Sequence, residues 1–268
     1  MTTRRLLRVL APPALVLVMA IAGWYAVSYL VLSPDERFLL PAPHDVVRVG
    51  FLDRDNLAEL LRALGLSAQV AMLGLVVAVV AGVGSAVVMS QARWLERSLY
   101  PYAVILQTVP ILALVPMFGF WFGFGFFSRV LVCVLIGIFP IIANTLFGLR
   151  SVADSHHDLF TLHHAGRLTR LMKLQLPAAA PSIFTGLRIA AGLSVIGAIV
   201  GDFFFKQGQP GIGILIELYR QRLQSEQLFA AVALSSLFGL TVFWTFGFLA
   251  RWAVGRWHES ARGGGSWG

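Results

Sequence analysis

Long runs without a charged residue limit this chain to folds that suit a lipid environment. Asp, Glu, Lys and Arg are absent from residues 9–34, 63–92, 98–128, 130–149 and 227–250. Residues 181–205 form a further apolar run, which only Arg188 and Asp202 interrupt. Since a transmembrane helix needs about 20 apolar residues, the sequence predicts an all-α polytopic membrane protein with about six transmembrane helices.

The composition agrees with a membrane protein and argues against other classes. Hydrophobic residues make up 57% of the 268 residues and charged residues 13%, whereas soluble domains have about 25% charged residues. The net charge of +8 does not indicate nucleic acid, because the basic residues are scattered between apolar runs. The single cysteine, Cys133, lies within such a run, which excludes a disulfide framework and predicts a packing residue.

The N-terminus begins like a signal peptide, with Arg4, Arg5 and Arg8 ahead of apolar residues. Its apolar segment is longer than a signal core of about 7–15 residues, and no small-residue cleavage site closes it. We therefore expect a retained first transmembrane helix.

The basic residues between the spans indicate the orientation in the membrane. If the N-terminus lies in the cytoplasm, the other segments on that side carry Arg93, Arg97, Arg150, Arg167, Arg170, Lys173, Arg251, Arg256 and Arg262. The first loop on the opposite side also carries acidic residues, namely Asp35, Glu36, Asp45, Asp53, Asp55 and Glu59. Because Lys and Arg favour the cytoplasmic side, both termini are predicted to be cytoplasmic.

The run at residues 98–128 is predicted to be irregular. As one straight helix it would be about 46 Å long. Prolines, which remove backbone donors and are expected to break or bend it, occur at Pro101, Pro110 and Pro116. Irregular backbone at membrane depth is tolerated only beside protein or a water-filled cavity, a setting that suits Gln107 and Thr108. A kinked packing helix is the alternative.

The segments outside the spans are short. The aromatic and glycine-rich residues 118–127 fit a turn at the membrane interface. Residues 56–64 are predicted to form a helix before the second span. On the same side, residues 207–213 are expected to form a Gly/Pro turn and residues 214–226 a short amphipathic helix.

One loop, residues 150–180, departs from the apolar character around it, and we refer to it as the polar loop. Its polar side chains include Asp154, Asp158, Arg167, Arg170, Lys173 and the pairs His156, His157 and His163, His164. Its apolar side chains have the spacing of an amphipathic helix: Leu159, Phe160, Leu162, Leu168, Leu171 and Met172. We therefore predict a short cytoplasmic helix over residues 155–166 that meets a partner protein.

The sequence predicts no catalytic, cofactor or metal site. The histidine pairs have no cysteine beside them and no HExxH pattern, so a solvated polar face explains them better than zinc. Asp158 has no nucleophile–base pair nearby. The chain contains no GxxxxGK[ST] phosphate loop for ATP.

Arg188 and Asp202 are charges within an apolar run, which makes them functional candidates. They lie about 21 Å apart along one helix, too far to pair with each other. Arg188 is interpreted as an anchor at the cytoplasmic face. For Asp202, a structural role at the outer edge and a role in a translocation pathway both remain open.

Short motifs rich in proline and glycine recur along the whole chain. They include Leu40-Pro41-Ala42-Pro43, Gln107-Thr108-Val109-Pro110, Leu176-Pro177, Gly186-Leu187-Arg188 and Gly211-Ile212-Gly213. On these segments the chain resembles the permease subunits of bacterial ABC importers, in the nitrate/sulfonate/taurine-type branch of the binding-protein-dependent transport family.

The polar loop resembles the cytoplasmic loop of that family in the spacing of its motif rather than in its residue identities. The family pattern is Glu-Ala-Ala, three residues, Gly, nine residues, then Ile-x-Leu-Pro. Counting back from Leu176-Pro177 places Asp158-Leu159-Phe160 at the triplet and His164 at the glycine, with Gly166 as a shifted alternative.

The resemblance implies a set of partners and of coupling residues. A separate ABC ATPase subunit would receive the loop in a groove, with Asp158 near the start of the inserted helix and Leu159, Phe160 and Leu162 as apolar anchors. The other implied coupling residues are His164, Gly166, Leu176 and Pro177. A second permease copy or a paralogue, an extracytoplasmic solute-binding protein and membrane lipid would complete the partners.

The resemblance also implies a pathway and a location. The implied pathway residues are Gln107, Thr108, Pro110, Pro116 and Asp202. Residues 1–268 would form a single permease domain of the bacterial inner membrane, with a flexible tail at about residues 260–268. ATP hydrolysis would belong to the partner chain rather than to this one.

The substrate and two other functions remain open at this point. The resemblance allows nitrate, sulfonates, taurine or vitamin precursors as solutes. An ion-coupled secondary transporter would need intramembrane carboxylates, for which only Asp202 qualifies. A membrane scaffold that docks a cytoplasmic partner would explain the polar loop without transport.

Overall fold

The computed structural model describes the backbone of residues 3–254, and the predicted tail at about residues 260–268 lies outside this range. The first half of the chain forms α1 (Thr3–Ala26), α2 (Pro43–Val47), α3 (Arg54–Ser90), α4 (Arg93–Thr108), α5 (Ile111–Phe122) and α6 (Phe126–Arg150). The second half forms α7 (Asp154–Leu162), α8 (Arg167–Arg170), α9 (Leu176–Phe204), α10 (Ile212–Gln221) and α11 (Ser225–Val254). Residues 3–254 contain no β-strand.

The helices confirm the predicted all-α membrane fold. Within the described range, five helical segments are long and apolar enough to cross a membrane, and they include α1, α3, α6, α9 and α11. The pair α4 and α5 passes the same test only when taken together, with a bend of 98° between the two helices. Counted as one broken span, the pair gives the six spans that the sequence predicts.

α3 is longer than the sequence indicates. Asp53 caps its N-terminus by accepting hydrogen bonds from the backbone N–H of Asp55 at 2.9 Å and of Asn56 at 3.2 Å. From there the helix continues for 37 residues without interruption. Residues 56–64 are helical as predicted, but they form the N-terminal end of the second span rather than a separate helix.

The broken span bends at one of its three prolines. Val109 and Pro110 have ψ angles of 130° and 88°, which stop α4 and allow α5 to leave in a new direction. Pro101 and Pro116 lie inside continuous helices, so only Pro110 breaks the run. The predicted aromatic turn is also shorter, since α5 extends to Phe122 and the chain turns over residues 123–125.

The core lies where α3, α6 and α9 pack together. Apart from Leu75, its buried side chains are small or β-branched, among them Val70, Ala78, Cys133, Ile141, Ala190, Val195 and Ala198. A Cβ on Gly197 of α9 would lie 3.0 Å from the Cα of Cys133, so the two backbones approach too closely for a side chain there. Cys133 is buried at this contact, in agreement with its predicted packing role.

A second apolar cluster covers the other end of α3. It joins α2, the start of α3, α10 and the start of α11 through Val46, Leu60, Ala63, Ile212, Leu215, Tyr219, Ala230 and Ala231. Trp24 near the end of α1 donates a hydrogen bond from Nε1 to the Pro41 carbonyl at 2.9 Å. The helix predicted at residues 214–226 is in fact α10, which ends earlier because Leu223 has a φ of 56°.

Candidate functional site

The polar loop contains the predicted short helix. α7 follows Ala153, whose backbone is extended with a ψ of 145°. Asp154 lies in the first turn of α7, where a carboxylate is favoured by the positive end of the helix dipole. The sequence interpretation gave this position to Asp158, which lies one turn further along, so that interpretation is wrong.

α7 exposes two of the three predicted apolar anchors. Leu159 is 50% exposed and Leu162 is 78% exposed, and residues three apart lie on one side of a helix. Phe160 is half-buried. The pair Leu159 and Leu162 is therefore open to a partner, whereas Phe160 is in part covered by its own chain.

The loop beyond α7 exposes further apolar side chains. Gly166 precedes α8, and a π-helical turn at Leu171–Gln175 leads into α9. Leu168 is 72% exposed and Met172 is 59% exposed. Leu176 and Pro177, which were also predicted to take part in coupling, are half-buried at the start of α9.

The end of α7 is a turn that normally contains glycine. His164 has a φ of 52°, and its N–H donates to the Thr161 carbonyl, while the N–H of Ala165 donates to the Phe160 carbonyl. This pair of bonds is a Schellman motif, in which glycine is usual at the left-handed position. The backbone therefore requires a left-handed residue at His164, the position that the family spacing assigns to glycine, and not at Gly166.

The histidine pairs of the polar loop do not converge on a metal site. His156, His163 and His164 are exposed and His157 is half-buried. Within the described residues, no group of three or more His, Cys, Asp or Glu side chains could hold a metal ion.

Most of the predicted pathway residues lie on one broken span. Gln107, Thr108 and Pro110 are exposed around the break between α4 and α5, and Pro116 is exposed further along α5. The Thr108 hydroxyl donates to the Ile105 carbonyl at 3.0 Å, which satisfies that group within α4. All four positions are therefore exposed on the broken span of the single chain.

Asp202 does not belong to that surface. It is fully buried, and its Oδ1 lies 3.2 Å from Nη1 of Arg129, which is itself 3% exposed. Its Oδ2 accepts hydrogen bonds from the Ser67 hydroxyl at 2.6 Å and from the Gly213 N–H at 3.2 Å. The carboxylate thus joins α3, α6, α9 and α10.

Arg129 also holds the chain that follows α9. Its Nε donates to the Phe205 carbonyl at 2.8 Å, its Nη2 to the Gln207 carbonyl at 3.0 Å and its Nη1 to the Gln209 carbonyl at 3.3 Å. We call Ser67, Arg129, Asp202 and the backbone of residues 205–213 the outer lock. It fixes the turn before α10 against the ends of α6 and α9.

Two glycines make room for the outer lock. A Cβ on Gly211 would collide with the Asp202 carboxylate, and a Cβ on Gly201 would lie 3.2 Å from the Cα of Arg129. This pairing was not predicted, because Asp202 was compared only with Arg188, the other charge in the same apolar run. The sequence does indicate the pairing. Arg129 lies at the start of α6 and Asp202 at the end of α9, and two neighbouring antiparallel spans place these two charges at the same depth in the membrane.

Comparison with known proteins agrees with this architecture. The sequence profile of the family described as the binding-protein-dependent transport system inner membrane component matches residues 74–256. The chain belongs to this family. It is therefore a membrane-spanning permease component of a transporter, as the sequence motifs predicted, and its family is one of transport proteins rather than enzymes.

Three relatives align with 63% to 86% of the chain. A formylaminopyrimidine transport permease of Halalkalibacterium halodurans is 33% identical over 233 residues, which are 86% of this chain and 90% of that protein. A bicarbonate transport system permease of Synechococcus elongatus is 30% identical over 225 residues, 83% of this chain and 80% of that protein. A riboflavin transport system permease of Chloroflexus aurantiacus is 36% identical over 168 residues, 63% of this chain and 62% of that protein.

Proposed function

We propose that this permease works in an ATP-driven importer and that its polar loop docks a separate ATPase subunit. The observation that supports this is the exposure of Leu159, Leu162, Leu168 and Met172 on a loop that also carries many charged and histidine side chains. Apolar side chains in water gain free energy when a groove buries them, in the helix-in-groove manner. His164 and Gly166 shape the turn after the docking helix.

The polar loop has a direct connection to the broken span. Arg150, at the end of α6 and the start of the loop, forms an ion pair with Glu96 of α4. The break at Pro110 lies at the other end of α4. A displacement of the loop by the ATPase would therefore be passed to α4 and change the angle at the break.

The pathway then lies between this chain and a second permease, either another copy or a paralogue. Gln107, Thr108, Pro110 and Pro116 line it in this proposal, because a broken helix requires polar surroundings at membrane depth. Asp202 is left out of the pathway, since all of its close partners lie within its own chain.

The proposed solute is a small polar molecule delivered by an extracytoplasmic solute-binding protein. This class includes the formylaminopyrimidine, riboflavin and bicarbonate named for the relatives, as well as the nitrate and aliphatic sulfonates of others. Residues 1–268 act as one permease domain in the bacterial inner membrane. Uptake that needs ATP hydrolysis, and not an ion gradient, would distinguish this proposal from a secondary transporter.

The coupling proposal is tested by recovery of the ATPase on a tagged permease. Replacing Leu159 and Leu162 together by alanine should remove most of the bound ATPase and most uptake. Leu52→Ala is the matched control, because Leu52 is 72% exposed and precedes α3 on the opposite side. Equal recovery of the ATPase by the double variant and the control would exclude the polar loop as the coupling element.

The orientation, with both termini cytoplasmic, is tested by cysteine labelling in intact cells. His44→Cys should react with an impermeant reagent added outside, and Ser155→Cys should react only after the membrane is opened. The native Cys133 gives little background because it is buried. Labelling of Ser155→Cys from outside would reverse the orientation.

A further inference from the structure

A groove with a basic mouth runs between α9 and α11. Its mouth is a cavity of about 900 Å³ whose lining includes Arg188 on α9 and Arg251 near the end of α11. Phe184, Trp244 and Phe248 surround the two arginines there. The mouth therefore combines two cations with aromatic rings, at the end of a span.

The groove continues along the two helices as an apolar slot. This part has a volume of about 720 Å³ and shares Arg188, Ile189 and Phe243 with the mouth. Its walls include Gly192 and Ile196 of α9, with valine and leucine side chains of α11 opposite them. One continuous site thus has a charged end and a long apolar end.

Within residues 3–254, no acidic side chain neutralises the charge of Arg188. Its guanidinium carbon lies 3.8 Å from the centre of the Phe243 ring, a cation–π contact. A Cβ on Gly247 would lie 3.4 Å from Arg188 Nε, so α11 has its smallest residue where the arginine crosses it. Across residues 3–254, no Asp or Glu forms an ion pair with Arg188 or Arg251.

We infer that this groove binds an anionic phospholipid. The phosphate lies between Arg188 and Arg251, and one acyl chain fills the apolar slot beside Gly192 and Ile196. A cation near the hydrocarbon boundary is costly without a counter-charge, and basic pockets between transmembrane helices are typical sites for anionic headgroups. Both halves of the groove are then matched by one molecule.

A second permease copy fits the groove less well. The helix of a second copy that most needs a covering surface is α1, of whose span only 6% is buried in the single chain. Residues 9–34 contain no Asp or Glu, so α1 would cover the slot and leave both arginines unpaired. The two guanidinium groups therefore favour the lipid.

The inference is tested by lipid titration of the purified transporter, with bound lipid counted by native mass spectrometry. Wild type should bind phosphatidylglycerol about tenfold more tightly than phosphatidylcholine, and Arg188→Gln with Arg251→Gln should remove that preference. Arg93→Gln is the control, because Arg93 is an exposed arginine at the start of α4. Equal phosphatidylglycerol affinity in wild type and the double variant would overturn the inference.

Two further arms separate the lipid from other occupants. Gly192→Phe should lower phosphatidylglycerol affinity several-fold, since a Cβ there meets no atom within 4 Å and the added ring would enter the slot without disturbing the backbone. Glycerol phosphate, the headgroup without acyl chains, should bind far more weakly than the lipid. Equal binding of glycerol phosphate, or efficient cross-linking of Gly192→Cys to Leu15→Cys of a second copy, would overturn the lipid site.

Discussion

The outer lock and the polar loop differ in the kind of side chain that they bury and the kind that they expose. In the outer lock, two opposite charges are buried and make all of their recorded bonds within the chain. In the polar loop, leucines and a methionine remain in solvent with nothing to cover them. Arg129 and Asp202 thus bond to each other within a single chain, whereas the exposed leucines of the polar loop are those for which we propose a partner.

The largest effect is expected from breaking the outer lock. Asp202→Ala leaves the Arg129 guanidinium buried without its counter-charge, so the free energy of unfolding should fall by about 3–5 kcal/mol. Thermal or denaturant unfolding of the detergent-solubilised permease would measure this loss. A double variant, Arg129→Met with Asp202→Asn, should recover part of it, and unchanged stability of Asp202→Ala would contradict the lock.

The polar loop should show the reverse behaviour. Replacing Leu159 and Leu162 by alanine should change the free energy of unfolding of the isolated permease by less than about 0.5 kcal/mol, because both side chains are exposed. The same variant should lose about 3 kcal/mol of ATPase binding, since each buried leucine contributes about 1.5–3 kcal/mol. The measurement is the increase in melting temperature on adding the ATPase, which wild type should show and the variant should not.

A smaller effect of opposite sign is expected at the end of α7. His164→Gly should stabilise the permease by about 0.5–1 kcal/mol, because glycine adopts the left-handed conformation without the cost to a side-chain residue. His163→Gly is the control, since His163 has a φ of −84° and gains nothing from glycine. A loss of stability in His164→Gly equal to that of the control would show that the turn stores no strain.

The smallest effect concerns Tyr219, in the apolar cluster around α10. Burial, together with the nearby Glu59 carboxylate that accepts the phenol's hydrogen bond at 3.1 Å, raises the pKa of Tyr219 to about 12. A raised pKa of an acid stabilises the fold below its unfolded pKa of about 10, and this contribution is lost as pH rises towards 12.

Difference titration of tyrosinate absorbance against Tyr219→Phe would follow this group. Glu59→Gln should lower the pKa of Tyr219 towards its ordinary value, because the negative charge is removed while burial remains. An unchanged pKa in Glu59→Gln would leave burial as the only cause.

The spans could be predicted because charge-free runs of that length have few other folds available. The start of α3 could not, since Arg54 and Asp55 look like loop residues until the Asp53 cap is known. The sequence could not show that the helix breaks at Pro110 rather than at Pro101 or Pro116. Each proline removes one backbone donor, and only the surrounding packing decides which one interrupts the helix.

The candidate site, too, could be predicted from the sequence only in part. The helix of the polar loop was visible in its apolar spacing, but the choice between Phe160 and Leu162 as the exposed residue depends on how the loop rests on its own chain. To predict the pairing of Arg129 with Asp202, the depths of these residues in two antiparallel helices would have to be compared. Spacing along one helix cannot show contacts between different helices.

The uninterrupted length of α3 has a mechanical consequence. Its 37 residues form a rod about 55 Å long, which exceeds the roughly 45 Å of a whole bilayer. The N-terminal end of the rod carries Leu60 and Ala63 of the cluster that contains α10, and its C-terminal end lies beside the start of α4. If the rod tilts by about 10° about one end, the other end moves by about 10 Å. A movement at one face of the membrane would then be carried to the other face by α3 alone.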